Sequence, residues 1–229
     1  MKQLLLTNIG TLATPLGSSA KGGSAQGEIQ VLNDAWVLAE DGVISAVGTG
    51  TPPQIPAAQV LDCQGRLVTP GLVDAHTHLV FGGWRQHEMA LKLQGVPYLD
   101  ILAQGGGILS TVTATRSATQ EELTEKALAA LDEMLAFGTT TCEAKSGYGL
   151  CLQEELKQLR AIRGANARHP IDLVPTFMGA HAVPGDYWDD REGYLRLLCQ
   201  EMIPAVAEEG LAKFCDVFCE TGVFTPEES

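Results

Sequence analysis

From about residue 70 onward, short apolar runs alternate with segments whose apolar residues recur at helical spacing, the pattern of βα units repeated on a parallel sheet. Four strands are predicted: "LVDAHTH" (72–78), "TTTCEAK" (139–145), "IDLVPTFMGAH" (171–181) and "KFCDVFCE" (213–220). Between the first two, "TQEELTEKALAALDEMLAFG" has an apolar helical face, with Thr119 as N-cap, Glu122 three residues on and Gly138 at its end. "LQEELKQLRAIRG" and "REGYLRLLCQEMIPAVAEEG" follow the same rule, and Pro204 is expected to bend or split the latter. Four such strands are half of a (β/α)8 barrel. The fold expected is α/β, the first half of a barrel over 67–229. A half-barrel leaves two apolar sheet edges, so a partner or a longer protein is expected to cover them, truncation being the favoured reading.

Residues 1–66 read differently. "QLLLTNIGTLA" and "AWVLAEDGVISAVG" are strand-like, with Asp41-Gly42 as a hairpin turn, and "PPQIPAA" interrupts before "QVLDCQGRLVTPG". This predicts a small antiparallel β unit, a β-sandwich portion. With 229 residues, 45% of them apolar, the chain can bury a sizeable core. A formal charge of -13 (15 Lys+Arg against 28 Asp+Glu) repels phosphate backbones and anionic lipid, which argues against nucleic-acid and membrane partners. The 6 cysteines are scattered rather than set in a disulfide framework, so a reducing, cytoplasmic location is expected. No apolar run reaches the roughly 18 residues of a membrane span.

The first barrel strand ends in "DAHTHLVFGGWR". His76 and His78 are two apart, so on an extended strand they face the same way, within reach of one ion at the end where barrel active sites are built. Imidazole nitrogens suit zinc and iron(II) equally. Such a pair also occurs on ordinary surface strands, but the preceding "TPG" and the sequel "LVFGGWR" favour a metal site. Two histidines do not complete a catalytic centre, which takes three or four protein ligands. Cys215 and Cys219, with Asp216 and Glu220, are rejected as the remainder because Cys-x3-Cys in an apolar strand is more often core packing. "GGGI" (105–108) has neither the Gly-Lys-Ser/Thr nor the preceding strand of a phosphate cradle, and reads as a flexible loop or lid.

"TPGLVDAHTHLVFGGWRQHE", "GGGILSTVTATR", "GTTTCEAKSGYGL", "PTFMGAHAVP" and "DVFCETGVFTPEES" together resemble the imidazolonepropionase family of the amidohydrolase superfamily, in order from near residue 60 to the C-terminus. "DAHTH" alone indicates only the superfamily; "FGGWR", "KSGYGL" and "GAHAVP" narrow it. The resemblance implies a metal-bearing (β/α)8 barrel beside a small β-sandwich, the latter completed by a returning C-terminal segment. It implies hydrolysis of 4-imidazolone-5-propanoate, a step of histidine degradation, to N-formimidoyl-L-glutamate. It also implies one zinc or iron ion with His76 and His78 as its first ligands, and a homodimer at full length. The third histidine, a late aspartate and the acid/base glutamate of the family are expected beyond Ser229, so the 229-residue chain alone is expected to be inactive. Binuclear relatives carry a lysine at the end of the fourth strand; here that strand ends in Glu220 and Lys145 ends the second, which favours one metal.

Roles for the matching residues follow. Arg85 suits the substrate carboxylate, since guanidinium and carboxylate pair through two parallel charged hydrogen bonds; the competing reading is a surface arginine pairing Glu88. Tyr148, in "SGYGL", is placed over the pocket as a substrate-binding residue or serves as a loop anchor, and Tyr98 is a weaker candidate of the same kind. His181, ending the third strand, binds substrate and donates to the ring carbonyl or developing oxyanion, unless it is packed in the core. His87 and His169 read as structural. Other expectations for "DAHTH" are an aminoacylase or nucleobase deaminase, or a non-catalytic metal-binding or assembly fragment.

Overall fold

The computed structural model describes residues 2–97, 100 and 106–229, and forms two compact units, Met1–Pro70 and Gly71–Ser229. Tyr98 lies outside the described residues.

In the first unit, β1 (Gln3–Pro15) pairs antiparallel with β2 (Ile29–Glu40), and β2 with β3 (Val43–Thr49). Asp41 and Gly42 join β2 to β3 with φ of 50° and 86°, the pair of left-handed residues that a two-residue hairpin requires. β4 (Gln59–Asp62) and β5 (Leu67–Val68) then both lie parallel to β1, so the unit is mixed rather than purely antiparallel. The reason is the sheet order β3-β2-β1-β4: after β3 the chain crosses two strands and returns alongside β1 in the same direction. Pairing of Leu67 and Val68 with Thr11 and Leu12 carries this sheet past residue 66. Ile9, Leu12, Ala35 and Val37 form its core.

The second unit is a parallel sheet in the order β6-β7-β8-β9, from Leu72–Asp74, Thr139–Lys145, Asp172–Ala180 and Phe214–Val217. Helices α1 (Glu88–Leu93), α2 (Gly107–Ser117) and α3 (Gln120–Ala136) lie between β6 and β7; α4 (Leu152–Arg168) connects β7 to β8. Between β8 and β9 run α5 (Arg191–Leu197) and α6 (Ile203–Glu208). Thr119 caps α3 as expected: its hydroxyl accepts from the Glu122 N–H while the Glu122 carboxylate accepts from the Thr119 N–H. Pro204 does not split its helix. The backbone stays helical through a π-helical stretch, Leu198–Met202, immediately upstream, which absorbs the hydrogen bond that the missing proline N–H cannot make. Of the loop expected over 105–108, Gly105 lies outside the described residues and Gly106 precedes the helix, while Gly107 and Ile108 open α2, the Gly107 N–H donating to the buried Glu88 carboxylate at 2.6 Å so that a helix-start donor is satisfied.

Alternation along the strands separates two faces. Cys142, Ala144, Leu173 and Phe177 pack into one buried cluster with Leu123, Ala127 and Leu131 of α3 and Leu156, Leu159 and Ile162 of α4. Full burial of a side chain such as Ile162 contributes about 1.5–3 kcal/mol. The intervening residues Thr141, Glu143 and Val174 share the opposite face with Val73 and Phe214. A strand of a parallel sheet is ordinarily apolar throughout, so Glu143 and Lys145 on one strand mark a site rather than a core.

Candidate functional site

β6 stops at Asp74, so the two histidines of "DAHTH" lie just past the strand rather than within it. The segment is nevertheless tied to the sheet, because the Lys145 N–H donates to the Thr77 carbonyl at 3.0 Å and the Thr77 hydroxyl donates to the Glu143 carbonyl at 2.5 Å. The rings of His76 and His78 lie edge-on with centroids 6.1 Å apart. His76 is exposed and His78 half-buried. Burial pushes His78 down to about 4, assisted by the charges of His181, His76 and Lys145. The ring is therefore neutral at pH 7, and its Nδ1 is buried with no hydrogen-bond partner among the described residues.

His181 follows the end of β8 and stacks on His78, centroids 4.6 Å apart. Tyr148 stands against both, 5.2 Å from each ring. The His181 Nδ1 lies 2.9 Å from the Gly147 carbonyl, and since a carbonyl only accepts, Nδ1 carries the proton. Burial lowers the pKa of His181, so its neutral form has Nε2 as an acceptor. This refines the expected donor role: donation from Nε2 requires the imidazolium.

Arg85 comes to the same place from the loop after His78. Together with Tyr148, His181, Trp188, Arg191 and Phe218 it lines a cavity of about 650 Å³. A smaller hollow joins Arg85 and Tyr148 to His78 through Phe81, Trp84 and Thr111. The loop is pinned by Lys126 of α3, whose Nζ lies 3.4 Å from the Phe81 ring centroid and 3.9 Å from that of Trp84 and donates to the Gly83 carbonyl. Arg85 Nε also lies 3.7 Å from the buried Glu88 carboxylate, so the pairing and the pocket position coexist. His87 and His169 are elsewhere. His87 is exposed at the start of α1, while His169 accepts from the Ile171 N–H and faces Asp132 at 3.3 Å, a structural arrangement.

Sequence reasoning missed a charge cluster on the open face of the sheet. The Lys145 ammonium, 5% exposed as a residue, bonds the Asp216 carboxylate and lies 3.4 Å from Glu143, which accepts from the Thr176 hydroxyl at 2.8 Å. Burial opposes the charge on Lys145, but the hydrogen bond and charge of Asp216 and the charge of Glu143 raise its pKa above the ordinary value. Asp216 is held below the usual carboxylate range, first by that hydrogen bond. Two-residue spacing of Glu143 and Lys145 was the available signal. Glu220 is exposed and caps a turn through the Thr221 N–H.

The unpartnered, neutral nitrogen of His78 fits a metal ligand, and His76 stands beside it. Among the described residues, no three His, Cys, Asp or Glu side chains assemble into a metal-holding group, so these two supply part of a donor set. All six cysteines are free, and no helix among the described residues is long and apolar enough to cross a membrane.

No family profile matches the chain. Over 100% of its length it is 53% identical to a protein named imidazolonepropionase from Alkaliphilus metalliredigens, of which it spans 56%. It is 52% identical to those of Bacillus cytotoxicus and Streptococcus gordonii, spanning 54% and 55% of them. Among solved structures it is similar to E. coli guanine deaminase, with a TM-score of 0.64 at 13% identity over 100% of this chain and 48% of that one. It is also similar to a triazine hydrolase from Arthrobacter aurescens, with a TM-score of 0.57 at 17% identity over 93% and 46%. Those two likenesses concern the fold, which is that of the amidohydrolases. The chain spans about half the length of the curated relatives it matches, and by sequence it belongs with the N-terminal portion of the imidazolonepropionase family.

Proposed function

We propose that the protein hydrolyses the cyclic amide of 4-imidazolone-5-propanoate, giving N-formimidoyl-L-glutamate in histidine degradation, and that this chain contributes the carboxylate-binding wall and the first two metal ligands. The observation that carries the reading is the convergence of Arg85, Tyr148 and His181 on one cavity beside His78, in a chain 53% identical to a named imidazolonepropionase.

Arg85 offers its guanidinium to the propionate carboxylate from the rim of the cavity. Tyr148 and His181 face the ring from one side, and Trp188, Phe218 and Val183 supply apolar walls that limit water. His181, its Nδ1–H committed to Gly147, accepts a ring N–H through Nε2 in its neutral form and donates to the carbonyl oxygen when protonated. Overall, water adds its hydroxyl to the ring carbonyl carbon while the C–N bond breaks and the nitrogen leaves with a proton. His76 and His78 would hold one divalent ion, zinc or iron, which when bound supplies a water of pKa about 7. Free cysteines suit a cytoplasmic protein, and the functional form is taken to be a homodimer.

The test is the loss of imidazolone absorbance on adding protein purified from the complete reading frame. Turnover with imidazolone propionate is expected. Unchanged substrate, with a nucleobase or an N-acyl amino acid turned over instead, overturns the assignment.

A further inference from the structure

The loop that presents Tyr148 has its own clamp. Residues 146–150 leave β7 in an irregular path, with φ of 109° at Gly147 and 53° at Leu150, which no repeating hydrogen-bond pattern stabilises. The Ser146 N–H donates to the Thr176 carbonyl at 3.0 Å, and the N–H groups of residues 147–150 are satisfied by two side chains one turn apart on α4. Glu155 accepts from the N–H groups of Gly147 at 3.1 Å, Gly149 at 2.8 Å and Leu150 at 2.8 Å. Gln158 accepts from the Tyr148 N–H at 3.0 Å and donates through Nε2 to the Val80 carbonyl at 2.8 Å, two residues past His78. Both side chains are fully buried. Burial raises the pKa of Glu155, while the Ser146 hydroxyl and the three N–H donors favour its carboxylate.

The loop is also close-fitted. A Cβ on Gly147 would lie 2.8 Å from the Met178 carbonyl and 3.0 Å from the Cβ and Nδ1 of His181, and one on Gly149 would lie 2.4 Å from the Glu155 nitrogen. Since the Gly147 carbonyl accepts from His181, whatever fixes Gly147 also fixes the tautomer and position of that ring.

We infer that Glu155 and Gln158 are positioning residues of the active site: they touch no substrate, but they set the loop that places Tyr148 and orients His181, and Gln158 ties that loop to the His78 segment. This rests on the function proposed above for its kinetic consequence and on the hydrogen-bond pattern alone for its structural one.

Glu155→Gln keeps the size but turns an NH2 toward N–H donors, and Gln158→Leu removes both bonds with little change of volume. In the protein from its complete reading frame, amide exchange at 147–150 is expected to accelerate at least tenfold in each variant, while the amides of 159–165 in α4 keep their protection. KM for imidazolone propionate should rise at least tenfold and kcat fall less in Gln158→Leu. Exchange at 147–150 within twofold of the parent overturns the inference, as does loss of protection throughout α4 in both variants, which would mark ordinary structural residues. A parent protein inactive on imidazolone propionate overturns the proposed function and leaves the exchange result to decide this one.

Discussion

The imidazole rings of His78 and His181 stack 4.6 Å apart with planes 14° from parallel, bringing the segment after β6 and the end of β8 into one wall. Two cations at that separation repel, and burial removes the water that would screen them. Burial is the first cause that lowers both pKa values; at His78 the neighbouring charge of His181 adds to it, whereas at His181 the Gly147 hydrogen bond opposes it. Neutral imidazole is the form that can bind a metal or accept a proton, the two tasks proposed above for these residues.

The metal assignment predicts that His76→Ala and His78→Ala each weaken zinc binding by roughly 100-fold, at the upper end of what even an outer-shell change costs. Equilibrium dialysis of the complete protein with zinc, beside circular dichroism to verify folding, measures this. A double variant that binds zinc as tightly as the parent would remove both residues from the metal site.

Arg85→Lys tests the carboxylate role. Lysine keeps the charge but not the planar pair of donors, and the loss of one charge-assisted hydrogen bond costs about 1.5–3 kcal/mol, or roughly 10- to 100-fold in KM. Steady-state kinetics with imidazolone propionate should show that rise with kcat nearly unchanged. A fall in kcat at constant KM would mean that Arg85 acts on the reacting centre instead.

The helices and strands of the second unit were legible because their signals are local. Thr119 and Glu122 announce a capping box, and "TTTCEAK" carries its own boundaries, matching β7 residue for residue. Of the candidate site, His76, His78, Arg85, Tyr148 and His181 could be named from identity alone, and the structure brings them near one another; their roles are those proposed above. The site was not legible where pairing across the sheet decides: nothing in the sequence says that Lys145 meets Asp216 on a strand 71 residues away. Glu155 and Gln158 did leave a trace, since they occupy the same buried face of α4 as Leu159 and Ile162, positions that a helix reserves for apolar residues unless a polar partner waits there. The direction of β4 and β5 was hidden for a different reason, because strand polarity depends on which neighbour the chain selects after a crossover.

Thr119→Ala removes the hydroxyl that accepts from the Glu122 N–H at 3.2 Å and should destabilise the second unit by about 1 kcal/mol. Denaturant unfolding reads the change as a lower midpoint at constant slope. Thr119→Asp should restore most of it, since aspartate caps equally well and its charge suits the positive end of α3. If alanine and aspartate behave alike, the cap contributes nothing.

Glu88 links stability to acid. Its carboxylate is fully buried, accepts from the Gly107 N–H at 2.6 Å and lies 3.1 Å from the Lys92 ammonium and 3.7 Å from Arg85 Nε. Burial pushes its pKa up, but the Gly107 bond, the Lys92 contact and the two positive charges outweigh that, leaving it below the ordinary value of 4.5. A carboxylate whose folded pKa is depressed contributes stability that is fully present above its unfolded pKa and is lost as pH falls through the folded one. Glu88→Gln should therefore cost roughly 1–3 kcal/mol at neutral pH, the range for unpairing a buried hydrogen-bonded charge. The difference between parent and variant should shrink as pH drops from about 6 to about 3, because protonation performs the same neutralisation in the parent. Urea unfolding across that range measures it, and a difference that stays constant with pH would mean that the Glu88 charge takes no part in holding α1, Arg85 and the start of α2 together.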